Sequence, residues 1–115
     1  MPVTKVRQEQ GLKGQYAPSV ERQRTVSAVL DVMGERRRQE KKHGPQLFVD
    51  DDYRLTFTLE EFGEVGKALY DIKNAEREKR DTTALYAHLY EEIMQTAACL
   101  VAWLEYLRRT EKVYR

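Results

Sequence analysis

The chain has 115 residues, of which 34% are charged, and its formal net charge is only +1. This length is typical of one domain with a modest core, and the balanced charge argues against a general nucleic-acid binder. The single cysteine, Cys99, excludes an internal disulfide, and no apolar run approaches the roughly 20 residues that a membrane-spanning helix needs. We therefore predict a soluble, cytoplasmic protein that binds neither nucleic acid nor a membrane.

The N-terminal segment, residues 1–18, is polar and shows no periodicity, so it is predicted to be a flexible arm. Residues 19–115 are predicted to form a helical domain. Its first helix is expected from about Ser19, which can serve as an N-cap, to about Lys42, because the following Gly-Pro pair cannot continue a helix. The apolar stripe of this helix comprises Val26, Val29, Leu30 and Met33.

Two more helices are predicted further along the chain. Their expected bounds are between Asp52 and Thr58 to about Asn74, and Thr82 or Thr83 to about Arg108. The apolar stripe of the second helix comprises Leu55, Leu59, Phe62, Leu69 and Ile72. The third helix has one apolar side with Leu85, Leu89, Ile93, Leu100, Trp103, Leu104 and Leu107, and another with Tyr86, Tyr90, Ala97 and Val101.

No segment alternates with a period of two, so the predicted fold class is all-α. Apolar positions occupy more than one side of the second and third helices. Three helices of one monomer cannot cover that much apolar surface, and a helix that is apolar nearly all round is normally buried. We therefore expect a homo-oligomer, in which helices of a second subunit complete the core.

Acidic side chains form a second pattern on the same two helices. Glu61 and Glu64 lie three residues apart and point together, and Glu92 and Gln95 repeat this spacing on the third helix. The glutamate pair is predicted to point away from the apolar stripe, and the glycines of EEFGEVGKAL to let the two acidic stripes pack closely. Carboxylates that meet in a groove repel each other unless a divalent cation such as Mg²⁺ or Mn²⁺ is bound. The alternative is that each pair lies on a solvated helix face.

The segment EEFGEVGKAL, followed after a charged connection by EEIMQTAACLVAW, resembles the MazG-like all-α nucleoside triphosphate pyrophosphohydrolases. The motif of that family is E-x-x-E followed by E-x-x-D. The upstream segment ERRRQEKKHG is similar to an element on the first helix of a MazG-like subgroup, and the resemblance covers roughly residues 35–107. The chain departs from the motif at Gln95, which stands in the place of the aspartate. A glutamine carbonyl can coordinate a cation, but it brings no charge.

This resemblance implies a MazG-like helical bundle, and the homo-oligomer expected from the apolar faces is predicted to be a homodimer or homotetramer. The implied activity is Mg²⁺-dependent (or Mn²⁺-dependent) hydrolysis of a nucleoside triphosphate to the monophosphate and pyrophosphate, in nucleotide-pool house-cleaning. The implied metal ligands are Glu61, Glu64, Glu92 and Gln95. Glu60 or Glu91 would accept a proton from the attacking water. The implied substrate-binding residues are Arg36, Arg38, Gln39, Lys42 and Lys67.

A contrasting hypothesis is a non-catalytic helical module that retains the fold and binds a partner protein. The replacement at Gln95 favours this module, whereas the intact set of Glu61, Glu64 and Glu92 favours the enzyme. The basic residues of ERRRQEKKHG are also typical of a solvated helix C-terminus, where cations are stabilising.

Overall fold

The computed structural model describes residues 16–110 and residue 112. This part of the chain contains three helices and no strand, which confirms the predicted all-α class. The helices are α1 (Pro18–His43), α2 (Asp51–Arg77) and α3 (Thr83–Arg109). Most of the predicted N-terminal arm, residues 1–18, lies outside the described residues. Within the described ranges, no helix is long and apolar enough to cross a membrane.

Local sequence explains where α1 and α2 begin and end. Pro18 opens α1, where its fixed φ suits the first turn. Gly44 follows the helix with a φ of 78°, a conformation that glycine adopts without strain, and its N–H donates to the Glu40 carbonyl at 2.7 Å. Asp50 is the N-cap of α2, because its carboxylate accepts a hydrogen bond from the Tyr53 N–H at 3.2 Å. The second helix therefore begins just before the range predicted for it.

The chain divides at Leu30 into two units, and the boundary lies within α1. In the first unit, Arg24 forms an exposed ion pair with Glu21 one turn away. The predicted apolar stripe of α1 is exposed in both units, as Val26 and Met33 illustrate.

In the second unit, α2 and α3 pack against each other as an antiparallel hairpin. At one end, the Trp103 indole N–H donates to the Asp51 carboxylate at 2.7 Å. At the other end, the Tyr86 hydroxyl donates to Glu76 at 3.2 Å. Because these contacts join the start of each helix to the end of the other, the two helices run in opposite directions along their whole length.

The face of α2 that packs against α3 differs from the apolar stripe predicted to do so. Buried and half-buried positions recur every three or four residues along it, at Arg54, Thr58, Glu61, Val65, Ala68, Ile72 and Ala75. The predicted stripe lies outside, with Leu59 59% and Phe62 62% exposed, and only Ile72 of that set is buried. The prediction that the stripe through Leu59 and Phe62 is the core face of α2 was therefore wrong, because the face that packs within the chain is the one that carries Glu61.

Helix α3 is divided in the same way. Its inner stripe comprises Leu85, Leu89, Glu92, Thr96, Cys99, Trp103 and Tyr106, all buried or half-buried. An outer stripe of exposed side chains comprises Tyr86, Tyr90, Ile93, Leu100 and Leu104. The prediction that placed Leu85 and Ile93 on one side was wrong, since the first is half-buried on the inner stripe and the second is exposed on the outer one.

The buried apolar side chains of α2 and α3 are mostly small. Among the described residues, the fully buried apolar positions are Ala68, Ile72, Ala75 and Ala98. The glycines that were expected to permit close packing do not do so within the chain, because a Cβ at Gly63 or Gly66 would meet no atom within 4 Å. Alanines, not glycines, allow the close approach of α2 and α3.

Candidate functional site

Carboxylates from α2 and α3 come together on the inner stripes of the hairpin. Glu61 is half-buried and Glu92 is only 8% exposed. Burial raises the pKa of Glu61 above its ordinary value, and the negative charges of Glu92 and Glu64 raise this pKa further. The acids that the sequence placed on two separate helices are thus close enough to repel each other.

Glu92 carries an unpaired oxygen in this cluster. Its Oε1 is buried and has no hydrogen-bond partner among the described residues, while its Oε2 lies 3.5 Å from His88 Nε2. A buried carboxylate oxygen without a partner is costly, because it has lost its hydration and gained no hydrogen bond in exchange. No described residue of the chain supplies a ligand for this atom.

A further carboxylate, Glu35, reaches the cluster from α1. Its side chain is buried, and its charge contributes to the raised pKa of Glu61. Arg38 binds both of its oxygens, with Nε donating to Oε1 at 2.9 Å and Nη2 donating to Oε2 at 2.7 Å. This hydrogen bonding raises the pKa of Arg38. Glu35 was not among the predicted site residues, although its three-residue spacing from Arg38 within ERRRQEKKHG was the available signal.

A cavity of about 460 Å³ lies beside these acids. Its volume is in the range of about 300–1,000 Å³ that is typical of small-molecule sites. Its lining includes the acidic side chains Glu35, Glu60 and Glu61 together with several basic ones. The basic side chains are Arg36, Arg38, Lys42 and Arg54. The cavity thus combines groups that bind a cation with groups that bind an anion.

Four of the five predicted substrate-binding residues line this cavity: Arg36, Arg38, Gln39 and Lys42. Arg36 is held in place by Glu105, which accepts from its Nε at 3.1 Å and its Nη2 at 2.8 Å. The remaining residue, Lys67, is exposed on α2 and is not part of the cavity wall. The structure therefore does not bring Lys67 to the site, because it lies on the solvent side of that helix.

The two predicted proton acceptors lie in different surroundings. Glu60 is exposed and lines the cavity. Glu91 is exposed on α3 outside the cavity wall, where its charge contributes to the raised pKa of Arg38 and its Oε1 lies 3.9 Å from His88 Nδ1. Of these two glutamates, only Glu60 can therefore face a molecule bound in the cavity.

A hydrogen bond between α1 and α3 joins two residues of the cavity lining. Gln39 Nε2 donates to the backbone carbonyl of Gln95 at 3.4 Å, and both residues line the cavity. Cys99 lies beside them, and burial raises the pKa of its thiol, with a further contribution from the charge of Glu61. Gln95, the residue that replaces the aspartate of the motif, is thus within the cavity wall.

Arg54 also lines the cavity and was not among the residues predicted from the sequence. It is only 6% exposed, and its guanidinium donates to the carbonyls of Val49 and Gln46, both at 2.8 Å. Its Cζ lies 4.6 Å from the centroid of the Tyr106 ring. Burial lowers the pKa of Arg54, and the charge of Arg109 lowers it further. Arg54 therefore anchors the α1–α2 loop, in which Gln46 has a φ of 52°.

Replacement of Arg54 by methionine is expected to lower the free energy of unfolding by about 2 kcal/mol, because two loop carbonyls lose their charged donor. Urea denaturation followed by circular dichroism measures this change. Arg108→Met, at an exposed position of α3, is the matched control and should change stability by less than about 0.5 kcal/mol. Equal effects of the two substitutions would contradict the anchoring role of Arg54.

The donor atoms of the cluster suit a divalent cation. Carboxylate oxygens are the ligands that Mg²⁺ and Mn²⁺ prefer, and the buried, unpaired Oε1 of Glu92 is such an oxygen. In the part of the chain that the structure describes, no group of three or more His, Cys, Asp or Glu side chains is arranged as a ready ligand set. In this cluster Arg38 engages both oxygens of Glu35.

Comparisons with known proteins add no assignment: no protein-family model matches the chain, and neither does any curated protein or solved structure. The resemblance to the MazG-like family stays a prediction that rests on the motifs of the chain itself.

Proposed function

We propose that this protein is a Mg²⁺- or Mn²⁺-dependent nucleoside triphosphate pyrophosphohydrolase of the MazG-like type. The observation that carries the proposal is that Glu61 and Glu92 lie on the inner stripes of two packed helices, beside a cavity lined by both acidic and basic side chains. A nucleoside triphosphate bound to a divalent cation presents both charges at once. The acidic side chains suit its cation, and the basic side chains suit its phosphates.

The residues divide between these two tasks. Glu61, Glu64 and Glu92 would hold the cation, and Gln95 would add an uncharged oxygen. When bound, the cation neutralises the triphosphate and polarises its α-phosphate. Glu60 faces the cavity and is the group we assign to accept the proton of the attacking water. Glu91 lies outside the cavity wall, which makes it the second choice for that role.

The basic side chains that line the cavity would bind the phosphate chain of the substrate. Arg36 is mostly buried and is oriented by Glu105, so little conformational freedom would be lost when it contacts a phosphate. Lys42 is exposed at the C-terminal end of α1 and adds a mobile charge. Gln39, which also lines the cavity, is the side chain we assign to the ribose or base.

A pyrophosphate-release assay over a panel of standard and modified nucleoside triphosphates, with Mg²⁺ or Mn²⁺, tests this proposal. We expect the monophosphate and pyrophosphate as products with at least one nucleotide. Formation of the diphosphate and inorganic phosphate would show cleavage between the β- and γ-phosphates and would contradict the proposed reaction. Absence of every product, from protein that circular dichroism shows to be folded, would reject the enzyme.

We also propose that the protein assembles as a homodimer or homotetramer. On α2, exposed apolar side chains lie at Leu55, Leu59, Phe62 and Leu69, and Gly66 occupies the position that completes spacings of four and three residues. On α3 the outer stripe of Tyr86, Tyr90, Ile93, Leu100 and Leu104 follows the same repeat. A heptad-like repeat of this kind is typical of helices that pack side by side with a small left-handed crossing angle.

A second copy of the chain is the occupant that fits these outer stripes. Both copies carry the same two stripes, so one symmetric interface can cover them. Gly66 lies within the α2 stripe and has open space around it, which leaves room for a neighbouring helix. Two stripes on different helices also allow two interfaces, which is how a dimer would extend to a tetramer.

The alternative function is a non-catalytic helical module that binds a partner protein through the outer stripes. The large apolar surface and the neutral Gln95 favour it. Thermal unfolding with and without millimolar Mg²⁺ or Mn²⁺ discriminates the two functions, because only a converging carboxylate site is stabilised by the free cation. A melting temperature that is unchanged by both cations, together with no turnover, would leave the module as the remaining function.

A further inference from the structure

The cluster contains one more carboxylate than the motif predicts. Glu35 is 8% exposed, lines the cavity and acts electrostatically on Glu61, although it comes from α1 and lies outside both motif segments. In the family motif the fourth negative charge comes from an aspartate, and here Gln95 stands in its place. The chain therefore lacks one charge on α3 and has an additional charge on α1.

The partner of Glu35 lies between this carboxylate and water. The side chain of Arg38 is 54% exposed, whereas that of Glu35 is only 7% exposed. Both hydrogen bonds of the pair come from the same guanidinium, and they occupy both oxygens of Glu35. The guanidinium engages the side of the carboxylate on which both oxygens could bind one cation together, so a bidentate bond to a cation requires Arg38 to leave.

The unpaired Oε1 of Glu92 is an independent sign that the cluster is not fully neutralised. One guanidinium brings a single positive charge to the several carboxylates that act on Glu61. A divalent cation brings two charges and gathers oxygens of several carboxylates in one coordination shell, whereas the guanidinium of Arg38 carries one charge and directs both of these hydrogen bonds to Glu35. Removal of Arg38 without a replacement would leave Glu35 as a buried, uncompensated charge. Replacement of the Arg38 guanidinium by the divalent cation avoids this cost.

We propose that Glu35 supplies the charge that Gln95 lacks, and that Arg38 occupies Glu35 until a divalent cation takes its place. This inference rests on the proposed cation site. The released guanidinium remains on the wall of the cavity, because Arg38 already lines it. Binding of the divalent cation therefore places one additional free cationic side chain where the phosphates of a nucleotide would lie.

Titration with Mn²⁺ alone, followed by isothermal calorimetry and by the electron paramagnetic resonance signal of free Mn²⁺, tests the exchange. Arg38→Met removes the competing cation and is expected to tighten Mn²⁺ binding about fivefold, the size expected for a partly exposed ion pair. Glu35→Gln is expected to weaken Mn²⁺ binding about tenfold or more, as loss of a group that holds a metal does. Arg37→Met is the matched control, since Arg37 is an exposed neighbour outside the cavity wall, and it should leave the affinity unchanged.

Each outcome decides between the exchange and the proposed function. If the wild-type protein binds Mn²⁺ and Arg38→Met binds it equally or more weakly, the exchange is rejected while the cation site stands. If neither protein binds Mn²⁺, both proposals fail. If Arg38→Met does not fold, Arg38→Lys serves instead: it keeps one charge but loses the two-point contact, so tighter binding supports the exchange and unchanged or weaker binding rejects it.

Discussion

Replacement of Glu61 by glutamine is expected to lower nucleotide hydrolysis by at least about a hundredfold, because the cation loses a carboxylate at the centre of the cluster. The same substitution is expected to raise the melting temperature of the cation-free protein at neutral pH. The reason is that Glu61 is half-buried and faces the negative charges of Glu92 and Glu64. Glutamine has nearly the same shape and carries no charge, so the repulsion disappears.

The pH dependence of stability follows from the same interactions. The pKa of Glu61 is raised above its ordinary value of 4.5 in the folded protein, so the native state holds this proton more tightly than the unfolded chain does. The contribution of Glu61 to the free energy of unfolding therefore falls as the pH rises from this ordinary value through the raised pKa, and it stays lower above that pH. Glu61→Gln removes this contribution, so the stability difference between variant and wild type should grow over the same pH interval.

Thermal unfolding between pH 4 and pH 8, in a chelating buffer and again with Mg²⁺, measures these effects. Magnesium should stabilise the wild-type protein more than Glu61→Gln, since only the wild type retains the full carboxylate set. Glu64→Gln should likewise abolish turnover and leave the oligomer intact. Glu40→Gln, at an exposed position of α1 outside the cavity wall, is the control and should change neither activity nor stability. A variant at Glu61 that keeps its turnover would remove this residue from the mechanism.

Replacement of Phe62 by glutamate is expected to dissociate the oligomer. Phe62 is 62% exposed in one chain and lies at the middle of the outer stripe of α2. An aromatic side chain at the centre of an interface commonly contributes 2 kcal/mol or more to association, so the dissociation constant should rise at least about thirtyfold. Sedimentation velocity over a range of protein concentrations measures the change.

The control for this experiment is Phe48→Glu. Phe48 is 96% exposed on the α1–α2 loop and lies on neither outer stripe, so this substitution should leave the oligomer intact. In a protein that functions as a monomer, both substitutions would be surface changes worth less than about 0.5 kcal/mol. Wild-type protein that sediments as a monomer at every concentration would contradict the proposed assembly.

Part of the fold was predictable from local sequence. The three helices lie where apolar periodicity placed them, since the period of 3.6 residues is a local property of the chain. Their ends were also locally encoded, by Pro18, by Gly44 and by the Asp50 cap. The most evident error in the bounds is at the end of α2, which runs to Arg77, beyond the predicted Asn74. Charged residues such as Glu76 and Arg77 carry little apolar signal, although they form helices well.

The assignment of faces was less successful. Helix α2 has two stripes with the same spacing, one through Leu59 and Phe62 and the other through Glu61 and Ala68. Periodicity identifies both stripes but does not say which one packs within the chain. Hydrophobicity favoured the stripe through Leu59 and Phe62. Helix α3 instead packs against the stripe through Glu61 and Ala68, because the alanines of that stripe permit close contact. The more apolar stripe was left on the outside, where we propose that a second copy covers it.

The sequence by itself determined the helical class, the three helices and the residue types of an acid-rich site, because periodicity, caps and the E-x-x-E spacing act over a few neighbouring residues. Only the tertiary structure decided that Glu35 is buried beside Glu61, that Arg54 anchors the loop and that Lys67 faces away from the cavity. Charged side chains are usually exposed, so no local pattern marks the few that are buried. Their burial depends on the partners that another helix brings to them.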